Sequence, residues 1–287
     1  MQVIRAEHLG FCFGVRDALE VTFSQDRPED VTIHGELVHN ESVLARLRAR
    51  GFRQEEESER DVLPSTERVL VTAHGISQSR RQRLLAAGHE LIDTTCPLVA
   101  HLHAQATSFS EQGFHIILIG KPGHVEVRGV LEDLDQFTLV EKPSDVKRLP
   151  HARLGILAQT TTPAPLAEAI VARVESLNPD AEIRWVNTIC EPTRKRILSV
   201  RQLAEKVDVI VVVGGRNSNN TLQLVNAARE ARAKVRHVQG ASDLQPHWFL
   251  ERGRVGLAAG TSTPEEAIDA VESGLLRIGS LLGIGSR

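Results

Sequence analysis

Short apolar runs recur along the chain, and almost every one breaks into a polar or glycine-containing loop before a helical pattern begins. Residues 31–33, 69–72, 116–119, 154–157, 209–213 and 255–258 are rich in β-branched side chains and read as buried strands. The loops after them are His34-Gly35-Glu36-Leu37-Val38-His39-Asn40, Ala73-His74-Gly75-Ile76-Ser77, Gly120-Lys121-Pro122-Gly123-His124-Val125-Glu126, Gln159-Thr160-Thr161-Thr162, Gly214-Gly215-Arg216-Asn217-Ser218-Asn219-Asn220 and Gly260-Thr261-Ser262-Thr263-Pro264. Apolar positions then return at helical spacing, clearest in Ile170, Val171, Val174 and Leu177, and in Val43, Leu44 and Leu47, which Gly51 stops. Weaker strands are expected at 137–140 and 234–238. Strands that alternate with helices and are apolar on both faces imply parallel sheets covered by helices.

Three cysteines divide this pattern almost evenly. Cys12 and Cys96 are 84 residues apart (96 − 12), Cys96 and Cys190 are 94 apart (190 − 96), and 97 residues follow Cys190. Each is preceded by a short apolar run, at 3–6, 90–92 and 183–186, and followed by a helical pattern, so each thiol falls in a strand-to-helix turn. Pro97 suits the first helical position. A thiol there faces free backbone donors and the positive end of a helix dipole, which favours the thiolate that binds metal. The spacing predicts three similar α/β units with small parallel sheets, 14–95, 96–188 and 189–287, in a pseudo-threefold (trefoil) arrangement. The last unit lacks a fourth strand unless the N-terminal segment 1–13 supplies it, and the expectation is that it does. Ligands of such sheets bind at the carboxyl ends of the strands. Those ends hold all three cysteines and the polar loops, so three units facing one centre would build one composite site.

Composition narrows the function. A net charge of −3 with basic residues scattered through predicted helices gives no footprint for nucleic acid, while small anions remain possible ligands. Residues 1–10 contain Arg5, Glu7 and His8, so they read neither as a signal peptide nor as a membrane span, and 275–284 is too short and too interrupted to cross a bilayer. A cytoplasmic protein is expected, with no membrane partner and with its thiols reduced. The acidic run 54–61 reads as a solvated loop, and Arg80, Arg81 and Arg83 as an exposed helix face.

One cysteine alone is most often a small buried hydrophobe, but three at matching strand ends point to metal. Zinc and an iron-sulfur cluster both use thiolate. The local His124-Val125-Glu126 lacks the Pro-Cys-x-x-Cys partner of a zinc deaminase. An iron-sulfur centre fits better, and three cysteines on a 4Fe-4S cluster would leave one iron open. His39, His74 and His124 stand at three strand ends and suggest an anion pocket, with donors at Thr160, Thr161, Ser218, Asn219, Asn220 and Ser262. No Walker-type Gly-Lys-Ser/Thr follows Gly214-Gly215, which argues against a P-loop. Glu126 is the one carboxylate inside this set and the candidate proton donor.

Taken together, the motifs resemble a known family. Gly10-Phe11-Cys12-Phe13-Gly14-Val15, Leu37-Val38-His39-Asn40, Ala73-His74-Gly75-Ile76-Ser77, Asp93-Thr94-Thr95-Cys96-Pro97, Gly123-His124-Val125-Glu126-Val127, Gln159-Thr160-Thr161, Asn187-Thr188-Ile189-Cys190, Val213-Gly214-Gly215-Arg216-Asn217-Ser218 and Ala259-Gly260-Thr261-Ser262-Thr263-Pro264 resemble, in order, the 4-hydroxy-3-methylbut-2-enyl diphosphate reductases. The resemblance implies reductive dehydroxylation of that allylic diphosphate to isopentenyl and dimethylallyl diphosphates, the last step of the non-mevalonate isoprenoid pathway, at the open iron of a 4Fe-4S cluster. It implies that Cys12, Cys96 and Cys190 hold the cluster. His39, His74, His124, Thr160, Ser218, Asn219, Asn220 and Ser262 would surround the substrate, and Glu126 would supply protons with Thr160. Electrons would come from a donor of the ferredoxin or flavodoxin class, since no flavin or nicotinamide motif is present.

The chain departs from the family pattern at Asn219, where Ser is common, at Val125, where Pro is common, and at Pro192 and Ile197 after the third cysteine. A divergent paralogue acting as an iron-sulfur redox sensor or on another allylic diphosphate is the alternative reading, and a zinc-dependent hydrolase a more distant one. Glu126 beside a diphosphate-type pocket favours catalysis over sensing.

Overall fold

The chain's computed structural model describes residues 1–55, 60–250 and 253–284. In chain order its strands are β1 (Gln2–Arg5), β2 (Val31–His34), β3 (Arg53–Gln54), β4 (Arg68–Val71), β5 (Glu90–Asp93), β6 (His115–Ile119), β7 (Phe137–Val140), β8 (Arg153–Ala158), β9 (Glu182–Trp185), β10 (Val209–Val213), β11 (Lys234–Val238) and β12 (Arg254–Ala259). The helices are α1 (Phe13–Phe23), α2 (Glu41–Ala49), α3 (Gln78–Ala86), α4 (Pro97–Glu111), α5 (Val125–Leu131), α6 (Ala164–Leu177), α7 (Glu191–Ala204), α8 (Asn219–Glu230) and α9 (Glu265–Leu281).

The strands form three four-stranded parallel sheets, ordered β3-β2-β4-β5, β7-β6-β8-β9 and β11-β10-β12-β1. The order is the same each time: second strand at one edge, then first, third and fourth. In the last sheet the fourth place is taken by β1, in register Val3 opposite Val255.

Burial follows the same rule. The two central strands of every sheet are the apolar runs, as in β10, where all five residues are at most 1% exposed, whereas the edge strands are mostly half-buried or exposed. Each fully buried Val, Ile or Leu contributes about 1.5–3 kcal/mol, so the central strands carry most of the drive to form a sheet. Helices cover them with one apolar face; Ile268, Val271, Leu275 and Ile278 of α9 recur at spacings of three and four and join the core of the last sheet. The two-residue β3 is polar and has no apolar run to announce it.

Packing gathers these elements into two compact units. The middle unit, Asp17–Leu37 with Leu47–Cys190, contains the first two sheets. The terminal unit, Met1–Arg16 with Val38–Arg46 and Glu191–Arg287, contains the third. Inside the middle unit, carboxylates from beyond α5 cap the start of α3. Asp133 accepts from the backbone N–H of Gln78 (2.6 Å) and Ser79 (3.0 Å), and Glu132 accepts from the Ser77 hydroxyl (2.8 Å).

The arginine cluster on α3 departs from expectation at one position. Arg80 is buried, not solvated, and its guanidinium donates to the Arg60 carbonyl and the Asp61 carboxylate. The segment at 60–61 therefore binds this helix, with Arg60 buried and Asp61 still exposed. Of the acidic run expected to be a loop, Gln54 ends β3 and residues 56–59 lie outside the described residues.

Candidate active site

Each cysteine is the residue immediately before a helix: Cys12 before α1, Cys96 before α4 and Cys190 before α7. Each also follows a fourth-position strand, namely β1, β5 or β9. The other candidate residues follow first- and third-position strands. His39 follows β2, His124 and Glu126 follow β6, and Ser218, Asn219 and Asn220 follow β10. His74, Thr160 and Ser262 follow β4, β8 and β12. No candidate follows a second-position edge strand, so the candidates gather at the ends of the strands that burial holds most firmly and at the turns after the fourth-position strands.

The middle unit contains Cys96, Cys190, His74, His124, Glu126 and Thr160. Glu126 is 2% exposed, and both its oxygens are engaged by one residue. The backbone N–H of Thr160 donates to Oε1 (2.6 Å) and its hydroxyl to Oε2 (2.9 Å). Burial pushes this carboxyl up to about 7, with the two Thr160 hydrogen bonds pulling the other way. The Thr160 carbonyl in turn accepts the backbone N–H of Cys190 at 2.8 Å, so a single residue ties the buried acid to a cysteine turn.

His124 caps α5, its Nδ1 accepting from the backbone N–H of Glu126 at 3.2 Å. That bond leaves the proton of the neutral ring on Nε2, which makes Nε2 a donor. The rings of His74 and His124 meet edge to face, 5.8 Å between centroids. Cys96 is fastened by its N–H to the carbonyl of Ala73, the residue before His74, at 3.1 Å. Gln159, part of the Gln159-Thr160-Thr161 motif but not of the candidate set, is 1% exposed, and its Oε1 accepts from the Lys121 N–H at 3.0 Å, linking the loops after β6 and β8.

The terminal unit contains Cys12, His39, Ser218, Asn219, Asn220 and Ser262. Ser218 caps α8 by accepting from the Thr221 N–H (3.3 Å), which leaves its own hydroxyl hydrogen to give. Asn219 opens the helix, and Ser262 lies half-buried in the turn after β12. The Asn220 amide is held by protein at both ends: Oδ1 accepts from the Thr261 N–H (2.9 Å) and Nδ2 donates to Thr193 Oγ1 (3.4 Å). The two bonds tie it to the loop after β12 and to α7. At Gly215 any side chain would collide with the His39 carbonyl, so only glycine lets these two loops meet.

All three cysteines are half-buried thiols outside any disulfide. Among the described residues, no group of three or more His, Cys, Asp or Glu side chains is gathered so as to hold a metal ion. Three soft donors, each at the positive end of a helix dipole, fit an iron-sulfur cluster in chemistry.

The LytB protein family model matches residues 3–276. The 4-hydroxy-3-methylbut-2-enyl diphosphate reductase of Aquifex aeolicus (strain VF5) is 33% identical over 285 residues, which covers 97% of either chain. A solved structure of (E)-4-hydroxy-3-methyl-but-2-enyl diphosphate reductase, described as the terminal enzyme of the non-mevalonate pathway, matches 96% of this chain and 100% of its own with a TM-score of 0.69 at 33% identity. That of the E-1-hydroxy-2-methyl-but-2-enyl-4-diphosphate reductase from Plasmodium falciparum matches 95% and 87%, with a TM-score of 0.87 at 27% identity. Both likenesses are to proteins of the same α/β build.

Proposed function

The chain belongs to the LytB protein family, and from that premise we propose that it is a reductase of the isoprenoid pathway that removes the hydroxyl of 4-hydroxy-3-methylbut-2-enyl diphosphate. The products are isopentenyl and dimethylallyl diphosphates. The balance is two electrons and two protons per hydroxyl, which leaves as water. Cys12, Cys96 and Cys190 would hold a 4Fe-4S cluster, which when bound supplies single electrons and a Lewis-acidic iron. Electrons would reach it from a cytoplasmic donor of the ferredoxin or flavodoxin class. Among the described residues no helix is long and apolar enough to cross a membrane.

The observation that carries the reading is the Glu126–Thr160 pair. A hydroxyl leaves as water only if a proton arrives with the electrons, and Glu126 is a buried acid whose carboxyl is pushed to about 7. It therefore holds a proton near neutrality that an exposed glutamate would have lost. Thr160 suits both states of it. Its hydroxyl donates to Oε2 when Glu126 is ionised and can rotate to accept when Glu126 is protonated, while its N–H remains on Oε1. Nε2–H of His124, the hydroxyl of Ser218 and the backbone N–H groups of the first turn of α8 are groups of the kind that bind phosphate oxygens. His39, His74, Asn219, Asn220 and Ser262 are assigned to the same diphosphate, each histidine contributing roughly 1.5–3 kcal/mol as a charge-assisted donor.

The test is turnover. Protein purified without oxygen is assayed for iron and acid-labile sulfide, then given a chemical reductant and the allylic diphosphate. The expected outcome is conversion to the two isomeric diphosphates, with the dephosphorylated alcohol bound far more weakly. Cluster-loaded protein that leaves the diphosphate unchanged, or that binds the alcohol equally well, would sink the reading.

A further inference from the structure

Helix α7 starts one residue after Cys190 and carries a buried positive charge six residues on. Arg196 is 6% exposed. Its Nη2 donates to the carbonyl of Gly10 at 2.7 Å and its Nη1 to that of Pro192 at 3.1 Å. Gly10 stands two residues before Cys12, and Pro192 two residues after Cys190. One planar guanidinium thus joins the turn that leads into Cys12 to the first turn of the helix that leads away from Cys190.

A second link runs from the same helix to the same cysteine. Thr193, fully buried and three residues before Arg196 on one face of α7, accepts from Asn220 Nδ2 (3.4 Å). Asn220 Oδ1 holds the Thr261 N–H (2.9 Å), and the Thr261 carbonyl accepts the N–H of Cys12 (3.4 Å). The bonds at both ends of this series are long, 3.4 Å each, so the shorter Arg196 bond to Gly10 is the stiffer of the two restraints. Gly10 itself is held at φ 73°, where other residues are strained, and a side chain there would press on Ile268.

We propose that Arg196 is a positioning residue for the iron-sulfur centre, its guanidinium fork fixing the Cys12 turn against α7 and its charge favouring the reduced state. The inference rests on the cluster assignment above. A lysine keeps the charge but is a single point donor and cannot reproduce a fork across two carbonyls. A nearby buried cation lowers the cost of adding an electron to an anionic centre.

The experiment uses Arg196→Met and Arg196→Lys beside the parent chain. In metal-free protein, amide hydrogen exchange of the segment 6–13 should quicken at least tenfold in both variants while far-UV circular dichroism is unchanged. After anaerobic reconstitution with ferrous iron and sulfide, loss of iron to a chelator should be at least tenfold faster in both. The midpoint potential from an EPR titration should fall in Arg196→Met by a tenfold loss of electron affinity, about 59 mV for one electron, and by less in Arg196→Lys. Exchange, iron loss and potential all within twofold of the parent would overturn the proposal. So would failure of both variants to fold, which would make Arg196 a requirement of the fold. A parent chain that takes up neither iron nor sulfide ends the cluster reading and this proposal together, whereas a loaded parent with indifferent variants ends this proposal alone.

Discussion

The corner around Glu126 and the corner around Cys12 are both buried and both polar, yet they are made of different groups. Glu126 is held by a hydroxyl and a backbone N–H, and the hydroxyl can exchange donor for acceptor when a proton moves. Cys12 is reached through an amide side chain, a guanidinium and backbone carbonyls, none of which changes protonation near neutrality. The first corner can gain and lose a proton without losing its bonds. The second has one arrangement only, which is what a ligand turn requires.

Glu126→Gln should break the first corner most severely. It keeps shape and hydrogen bonding but has no transferable proton, so turnover should fall about 10²- to 10⁴-fold, or roughly 3–5 kcal/mol of barrier, with cluster content and substrate binding retained. Near-normal turnover would show that protons reach the substrate by another route.

The same variant should be more stable than the parent at high pH. The carboxyl rises from its ordinary 4.5 to about 7 in the fold, so the protonated form is the one the fold prefers. That stability is fully present below about pH 4.5 and is lost as pH rises through 7, reaching about 3 kcal/mol. Urea unfolding should therefore give equal stabilities at pH 4.5 and an advantage for Glu126→Gln at pH 8. An advantage independent of pH would contradict the assignment.

Asn220→Ala tests the second corner. It leaves the buried Thr261 N–H without its acceptor, at a cost of about 1–3 kcal/mol, and this cost should not vary between pH 5 and 8. A pH-dependent loss would mean that the contrast between the corners is misdrawn.

The smallest effect is expected at His115, which opens β6 at the end away from the loop that carries Glu126. Its ring stacks on His151 at 3.9 Å, and burial, then the neighbouring ring, lower its proton affinity. The neutral form is preferred, so its contribution is present above the ordinary histidine value and lost as pH falls, the opposite sense to Glu126. His115→Gln should flatten the acid side of the stability profile, read as a smaller drop in urea midpoint between pH 7.5 and 5.

Much of this was legible in the residues. The runs at 69–72, 116–119 and 209–213 are legible because a central parallel strand is apolar on both faces and little else in a chain looks so. The cysteine turns could be found because a thiol between an apolar run and a helical pattern recurs three times. Arg80 and Arg196 were illegible for one reason: a lone arginine in a helix normally lies in solvent, and only tertiary contacts, with Asp61 for one and Gly10 for the other, turn it inward. The bonds of Asn220 to Thr261 and Thr193 were equally hidden, because an asparagine beside a glycine-rich turn carries no sign of which neighbouring loop it will hold. A polar edge of two residues such as β3 has no pattern at all.

The pairing of β1 with β12 sets a timetable for the newborn chain. Gln2 leaves the ribosome first, but its partner Arg254 follows 252 residues later (254 − 2). At roughly 5–20 residues per second that is a wait of about 10–50 s during which the opening strand has no sheet to join. Thr261, whose carbonyl fastens Cys12, emerges later still. The turns of Cys96 and Cys190 have their partners, Ala73 and Thr160, already synthesised when they appear. Two of the three thiols can thus be in place during translation, and the first one made is the last to be set.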